Sequence, residues 1–183
     1  MRAFLAVELD ADVRARLVAV QHELAARGAA VRWVRGDALH ITVKFLGSVT
    51  EKTLTAIYDD LRSVTSRGQP SAVFTGLHVF PDARRPRVIW ARVACPALTT
   101  LCTVIEYGTT PLGIAPESRP LVPHVTLGRL TDPRTWPRLE SAVRAHADTT
   151  FGTCAFPALV ALRSDLRPGG ALYTKLWSIP FGA

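Results

Sequence analysis

The sequence predicts an α+β protein built from two similar halves, and three observations lead to that prediction. Strand-like and helix-like apolar segments alternate in a mixed order, with pairs of strands between single helices. The 183 residues suffice for one domain with a sizeable core, and 48% of them are hydrophobic against 20% charged. The third observation is an internal repeat. We therefore expect residues 1–183 to form one domain of two intertwined lobes, with antiparallel sheets, outer helices and a central cleft.

The first half of the chain predicts a strand, a helix, two strands, a helix and a strand. The first helix has Val13, Leu17, Val20 and Leu24 on one stripe, with Asp10 or Asp12 as its N-terminal cap. Gly28 ends this helix. The predicted elements are, in order, strand Arg2–Leu9, helix Val13–Arg27, strands Val31–Val34 and His40–Leu46, a helix opened by Thr50 and Thr53, and strand Ser71–Phe80.

The second half predicts a similar order. Pro96 is suited to the first turn of a helix, and Asp132 with Pro133 opens another. The last two strands flank a hairpin turn with the sequence Arg-Pro-Gly-Gly. The predicted elements are strand Arg87–Val93, helix Pro96–Tyr107, strand His124–Leu130, a helix from Asp132 to about His146, and strands Thr150–Phe156, Leu159–Asp165 and Ala171–Ile179.

The internal repeat appears when the chain is shifted by 84 residues without gaps. The first strand then falls on Val88-Ile89-Trp90-Ala91, and the helices that follow these strands coincide. The same shift places His40-Ile41-Thr42-Val43 on His124-Val125-Thr126-Leu127. One offset shared by strand, helix and motif predicts two lobes related by a pseudo-twofold axis.

Charge and cysteine content narrow the class of protein. Lys and Arg number 22 against 15 Asp and Glu, a formal net charge of +7, which favours an anionic partner: nucleic acid, a phosphorylated small molecule or an acidic surface. The alternative explanation for the positive charge is a GC-rich genome, which favours arginine codons. Three cysteines without C-x-x-C spacing argue against a disulfide framework or a cysteine-based zinc site and fit a reducing cytoplasm. No signal-peptide core and no membrane span is predicted.

The paired His-x-Thr motifs are the strongest chemical signal. Residues two apart on a strand share a face, so each motif presents an imidazole beside a hydroxyl. Two imidazoles facing one cleft can serve in-line displacement at phosphorus, one removing a proton from the nucleophile and the other protonating the leaving oxygen. The hydroxyls of Thr42 and Thr126 would bind the non-bridging oxygens. This chemistry needs no metal, although two structural histidines, or a metal site, are the alternatives.

Three cations near the motifs could hold a phosphate. Lys44 shares the face of His40 and Thr42 if that strand is regular, whereas Arg129 points away from His124 by strand parity and reaches the site only through twist or a bend. Arg119, in the loop five residues before His124, could fold over the ligand or remain solvated. Trp33, Phe45 and Phe80 are candidates for stacking on a base.

The segments His40–Gly47 and Arg119–Arg129 resemble the two-histidine phosphoesterase superfamily, and within it the RNA 2′,3′-cyclic phosphodiesterases, also called 2′-5′ RNA ligases. The opening strand, Arg32-Trp33-Val34, Val79-Phe80-Pro81, Arg85–Trp90 and Tyr173 fit the same family. The resemblance implies a bilobal fold with a central cleft and metal-independent hydrolysis of RNA 2′,3′-cyclic phosphate ends to 2′-phosphates. It also implies reverse 2′-5′ ligation.

The resemblance further implies that His40 protonates the leaving 3′ oxygen, that His124 activates water, and that Thr42 and Thr126 bind the phosphate. We expect a cytoplasmic monomer without a cofactor, acting on RNA with cyclic phosphate ends, such as tRNA fragments. A cyclic phosphodiesterase for a small nucleotide such as ADP-ribose cyclic phosphate, or a non-catalytic module that binds RNA ends, are the alternatives.

Overall fold

The computed structural model describes residues 1–63, 68–117, 122–167 and 170–182. Within these ranges nine strands form one sheet, and every strand pair in it is antiparallel. The strands are β1 Arg2–Glu8, β2 Val31–Trp33, β3 His40–Ser48, β4 Ser71–Phe80, β5 Val88–Ala94, β6 His124–Leu130, β7 Thr150–Ala155, β8 Ala158–Arg167 and β9 Gly170–Pro180. The predicted α+β class is confirmed.

Four α-helices lie in the described part of the chain, at α1 Ala11–Ala25, α2 Glu51–Leu61, α3 Pro96–Thr109 and α4 Glu140–Ala145. Asp10 caps α1 by accepting from the Val13 amide at 2.8 Å, and Thr50 caps α2 by accepting from the Thr53 amide at 3.1 Å. The predicted stripe of α1 is buried, as expected for a helix that packs on the sheet. None of the helices described is long and apolar enough to cross a bilayer.

One predicted helix is wrong. The segment from Asp132 to His146 forms a 3-10 turn at Pro133–Arg138 and then the short α4, not a single helix. Pro137 lies inside that segment. Proline lacks the amide hydrogen that an α-helix needs and its ring clashes with the carbonyl four residues earlier, so the continuous helix is interrupted there.

The strand order shows how the two halves are arranged. It runs β7-β4-β5-β6-β3-β1-β8-β9, with β2 pairing the end of β6. Reading outward from the centre, β3 corresponds to β6, β1 to β5, β8 to β4 and β9 to β7. The chain completes the half around β6 before β8 and β9 return to the first half. The pseudo-twofold arrangement predicted from the repeat is therefore present in the strand order, and its axis passes between the two histidine strands. That the whole chain is a single domain stays a prediction.

The helices bury one face of the sheet and leave the other face for a cleft. The main core combines the buried stripes of the helices with inward-facing strand residues such as Leu5, Ile41, Ile89 and Val125. A smaller cluster of Phe4, Ala6, Val160 and Leu162 lies apart from it, with Tyr173 packed against it. Strand alternation thus places the His-x-Thr side chains opposite the helix-covered core.

Candidate active site

The two histidine strands meet at the centre of the pseudo-symmetry. Strands β3 and β6 are paired at Ile41 and Val125, which are themselves 84 residues apart. In an antiparallel pair this register sets His40 opposite Thr126 and Thr42 opposite His124. The imidazoles are then diagonal neighbours, whose backbones lie about 7–8 Å apart in such a pair. Both imidazoles and both hydroxyls line one cleft.

Each imidazole is oriented by the same backbone contact. His40 Nδ1 lies 2.8 Å from the Ala38 carbonyl oxygen, and His124 Nδ1 lies 2.8 Å from the Val122 carbonyl oxygen. A carbonyl can only accept, so Nδ1 carries the hydrogen and donates it in both rings. Nε2 is therefore the atom of each ring that can take part in proton transfer in the cleft. Nε2 of His40 lies 3.2 Å from Oγ1 of Thr42, whose hydroxyl donates to the neutral ring.

Aromatic rings surround the two imidazoles unequally. His40 contacts Phe4 with ring centroids 5.0 Å apart and Tyr173 at 5.1 Å, whereas His124 contacts Trp90 at 5.6 Å. Burial lowers the pKa of His40 below its ordinary value, the hydrogen bond to Ala38 raises it, and the charge of nearby His124 lowers it further. The neutral form of the His40 ring is therefore favoured at neutral pH.

A β-bulge at the same place in each histidine strand reverses the alternation of the residues that follow. On β3, Thr42 pairs with Ala6 and Lys44 with Leu5, so Val43 is the extra residue. On β6, Thr126 pairs with Trp90 and Gly128 with Ile89, so the extra residue is Leu127, 84 positions after Val43. Beyond these bulges, Phe45 and Arg129 face the cleft.

The bulges correct the expectation for Lys44 and explain that for Arg129. Lys44 does not face the cleft: it is 1% exposed, with Nζ 2.8 Å from Glu106 Oε2 and 2.9 Å from the Ala115 carbonyl oxygen. The assumption of a regular strand was wrong, because the bulge at Val43 turns Lys44 to the helix side. Arg129, expected to point away by parity, lines the cleft because the bulge at Leu127 turns it inward.

The cleft is cationic and partly aromatic. Its volume is about 1510 Å³, and its described lining includes the arginines Arg2, Arg32, Arg35, Arg129 and Arg167 but no Asp or Glu. The predicted stacking residues Trp33, Phe45 and Phe80 all line it, and Phe45 and Phe80 are 53% and 54% exposed. Exposed rings beside guanidinium groups and without carboxylates suit a polyanion that carries bases.

Sequence reasoning missed Arg35, although the repeat points to it. Arg35 precedes His40 by five residues, as Arg119 precedes His124, and the two arginines are 84 apart. Arg35 lines the cleft and forms an exposed ion pair with Asp37 at 3.1 Å. Arg119 itself lies outside the described residues. Among the described residues there is no group of three or more His, Cys, Asp or Glu that could hold a metal ion.

Comparisons with known proteins place this geometry in context. The family model described as LigT like phosphoesterase matches residues 7–90. An RNA 2′,3′-cyclic phosphodiesterase of Methanothermobacter thermautotrophicus is 33% identical over 178 residues, covering 96% of both chains. A solved structure from Thermus thermophilus superposes with a TM-score of 0.82 at 28% identity, over 99% of this chain and 98% of that one. E. coli LigT complexed with 3′-AMP has the same fold, with a TM-score of 0.76 at 24% identity and 97% coverage of both chains.

Proposed function

The chain belongs to the LigT-like phosphoesterase family, together with the RNA 2′,3′-cyclic phosphodiesterases, and we propose that it hydrolyses the 2′,3′-cyclic phosphate at the end of an RNA to a 2′-phosphate. The observation that carries this proposal is the matched pair of imidazoles. Both donate the hydrogen on Nδ1 to a carbonyl two residues earlier, and both face one cleft, where Nε2 can take part in proton transfer. This arrangement supplies a base and an acid to one phosphorus atom.

In the proposed reaction His124 accepts a proton from the attacking water while the water oxygen bonds to phosphorus. The bond between phosphorus and the 3′ oxygen breaks, and His40 gives its proton to that oxygen, so that a 2′-phosphate and a 3′-hydroxyl remain. The division of roles follows the family resemblance. The two proton transfers stabilise the attacking and leaving oxygens, each contributing about 10²–10⁴-fold. We therefore propose that hydrolysis needs no metal.

Substrate binding prepares His40 for the acid role. Because burial lowers the pKa of His40, the neutral form of its ring is favoured at neutral pH before a substrate binds. A diester anion beside Nε2 favours the charged ring and draws a proton onto it. Thr42 and Thr126 would donate to the non-bridging oxygens, and Arg129 would bind the same charge, as would Arg119.

The dimensions and charge of the cleft favour RNA over a single small nucleotide. Small-molecule sites usually occupy about 300–1,000 Å³. This cleft of about 1510 Å³ is larger, and its arginines extend from Arg32 on β2 to Arg167 at the end of β8. Several consecutive phosphates would engage these side chains, and Phe45 or Phe80 would stack on a base.

Three further features complete the proposal. The same site would join a 5′-hydroxyl RNA to the cyclic end through a 2′-5′ bond, with the 5′-hydroxyl in place of water. We place the protein in the cytoplasm, since the free thiols of Cys95, Cys102 and Cys154 suit a reducing compartment. We propose a monomer, since one chain supplies both imidazoles and the cleft between them.

The test is hydrolysis of a short RNA with a 2′,3′-cyclic phosphate end in excess chelator, with the 2′- and 3′-phosphate products separated. We expect the 2′-phosphate alone, and a loss of about 10²–10⁴-fold in His124→Ala. Activity that requires added metal, or that is undiminished in His124→Ala, would overturn the mechanism. Tight binding of the cyclic end without product would make the protein an RNA-end-binding module instead.

A further inference from the structure

We infer that Gln21 and Lys44 are positioning residues for the active site: each fixes the bulge of one histidine strand from behind the sheet and so aims the cleft residue that follows the bulge. Among the described residues the buried polar or charged side chains are Gln21, Lys44 and Thr109, at 4%, 1% and 1% exposure. Thr109 is satisfied within its own helix by donating to the Ile105 carbonyl. The other two lie directly behind the bulges.

Gln21 holds the bulge of β6. Leu127 has no partner on β5, and a buried carbonyl without a partner is unfavourable. Its carbonyl accepts from Gln21 Nε2 at 2.8 Å and from the Val34 amide at 2.9 Å. The same amide nitrogen of Gln21 donates to the Val34 carbonyl at 2.8 Å. One carboxamide therefore joins α1, the chain after β2 and the bulge that turns Arg129 into the cleft.

Lys44 holds the bulge of β3 in a different way. Its ammonium group bonds to Glu106 on α3 at 2.8 Å and to the Ala115 carbonyl at 2.9 Å, and Glu117 Oε1 lies 4.0 Å away. The other oxygen of Glu106 accepts from the Glu117 amide at 2.7 Å. A buried charge is tolerated where it is paired and hydrogen-bonded in this way. The network fixes the residue between the bulge at Val43 and the cleft residue Phe45.

The hydrogen bonds of Gln21 and those of Lys44, here called the two clamps, each join one half of the protein to the other. Helix α1 precedes β3 in the first half, yet Gln21 holds β6; helix α3 belongs to the second half, yet Glu106 holds Lys44 of β3. The direct ladder between β3 and β6 is, in the described residues, the single register pair Ile41 and Val125. The clamps therefore fix the residues on either side of this single pair, and a misplacement of about 1 Å in the cleft residue that a bulge turns inward costs up to about 10²-fold in rate.

The test is a double-mutant cycle that pairs Gln21→Met, which keeps the length of the side chain but removes its donors, with Arg129→Ala. The assays are kcat and KM on cyclic-phosphate RNA and the affinity for adenosine 2′-monophosphate. We expect Gln21→Met to lower kcat/KM about 10- to 100-fold. In the Arg129→Ala background we expect the same change to cost less than about twofold, because the residue it positions is absent. Val20→Ala, a core change on α1, is the matched control and should leave the kinetics unchanged.

The inference would be overturned if Gln21→Met lowered kcat/KM by the same factor with and without Arg129. It would also be overturned if the kinetics of Gln21→Met matched those of Val20→Ala. Should Gln21→Met fail to fold, the same cycle is measured with Lys44→Met and Phe45→Ala, and it is read by the same criterion. Lys44→Arg keeps the positive charge and is expected to retain part of the affinity for adenosine 2′-monophosphate. The inference rests on the proposed function for its kinetic assay. The nucleotide affinity is measured without turnover, so a failure of the clamps and a failure of the hydrolysis proposal are distinguishable.

Discussion

Replacing Gly128 with alanine should destabilise the protein and disturb the site, although the change adds one methyl group. A Cβ at position 128 would lie 2.6 Å from Val31 Cγ1 and 2.8 Å from Trp33 Cε3. Reaching an ordinary contact of 3.4 Å requires these groups to move by about 0.8 and 0.6 Å. Val31 is restricted in its rotamers and Trp33 packs against the core, so neither moves freely.

Overpacking of this kind costs about 1–3 kcal/mol. For a chain of this length each kcal/mol lowers Tm by about 2–4 °C, so a cost of about 2 kcal/mol lowers Tm by about 4–8 °C. Because Gly128 lies between Thr126 and Arg129, we also expect kcat/KM to fall on the order of 10-fold or more.

The matched control is Gly108→Ala, measured by thermal unfolding and by kinetics beside Gly128→Ala. The new Cβ at position 108 would meet Asp60 Oδ2 at 2.7 Å, and that atom is the end of a flexible side chain. Alanine is favoured over glycine within a helix by up to about 1 kcal/mol, so Gly108→Ala should be neutral or stabilising. The reasoning is refuted if Gly128→Ala unfolds at the wild-type temperature with wild-type kcat/KM.

Three other outcomes follow from the site. The lowered pKa of His40 means that the folded protein binds fewer protons than the unfolded chain below about pH 6.5, so the free energy of unfolding should fall as pH drops through that window. Denaturant unfolding of His40→Gln at several pH values should show a smaller fall in the free energy of unfolding with decreasing pH than the wild type shows. An equal fall in the two proteins would contradict the reasoning. Arg35→Ala should lower kcat/KM about tenfold, because one charged hydrogen bond to the RNA is lost, whereas Arg84→Ala in the exposed turn should leave kcat/KM unchanged; equal effects of the two changes would remove Arg35 from the site. A cyclic substrate with sulfur as its 3′ leaving atom needs no proton donor. On this substrate His40→Ala should recover most of the kcat/KM of the wild type, whereas His124→Ala should remain as impaired as on the oxygen substrate; the reverse pattern would exchange the two roles.

The internal repeat is what made the fold and the centre of the site predictable. The offset of 84 residues predicted which strands and helices correspond and that the His-x-Thr strands meet. The structure pairs Ile41 with Val125 at that offset. Strand alternation also predicted correctly that each imidazole shares a face with its hydroxyl. These features depend on local pattern and on symmetry, both of which a single sequence records.

The residues just beyond the motifs could not be assigned from the sequence. A β-bulge adds one residue without a distinctive local pattern, and it reverses every side chain that follows. Regular alternation therefore puts Lys44 in the cleft and lets Arg129 reach it only through twist or a bend, whereas the bulges give the opposite result for Lys44 and a direct one for Arg129. The repeat held one unused signal, the matched spacing of Arg35 and Arg119 before the two histidines. The break at Pro137 was also visible in the sequence, since proline interrupts a helix.

A structure with a nucleoside vanadate bound in the cleft tests the central claim most directly, because the trigonal bipyramidal vanadium reproduces the geometry of the displaced phosphorus. We expect Nε2 of His40 within about 2.6–3.2 Å of one apical oxygen and Nε2 of His124 within the same distance of the other. The account would be contradicted if only one imidazole contacted the vanadate, or if both imidazoles lay on the same side of the vanadium atom.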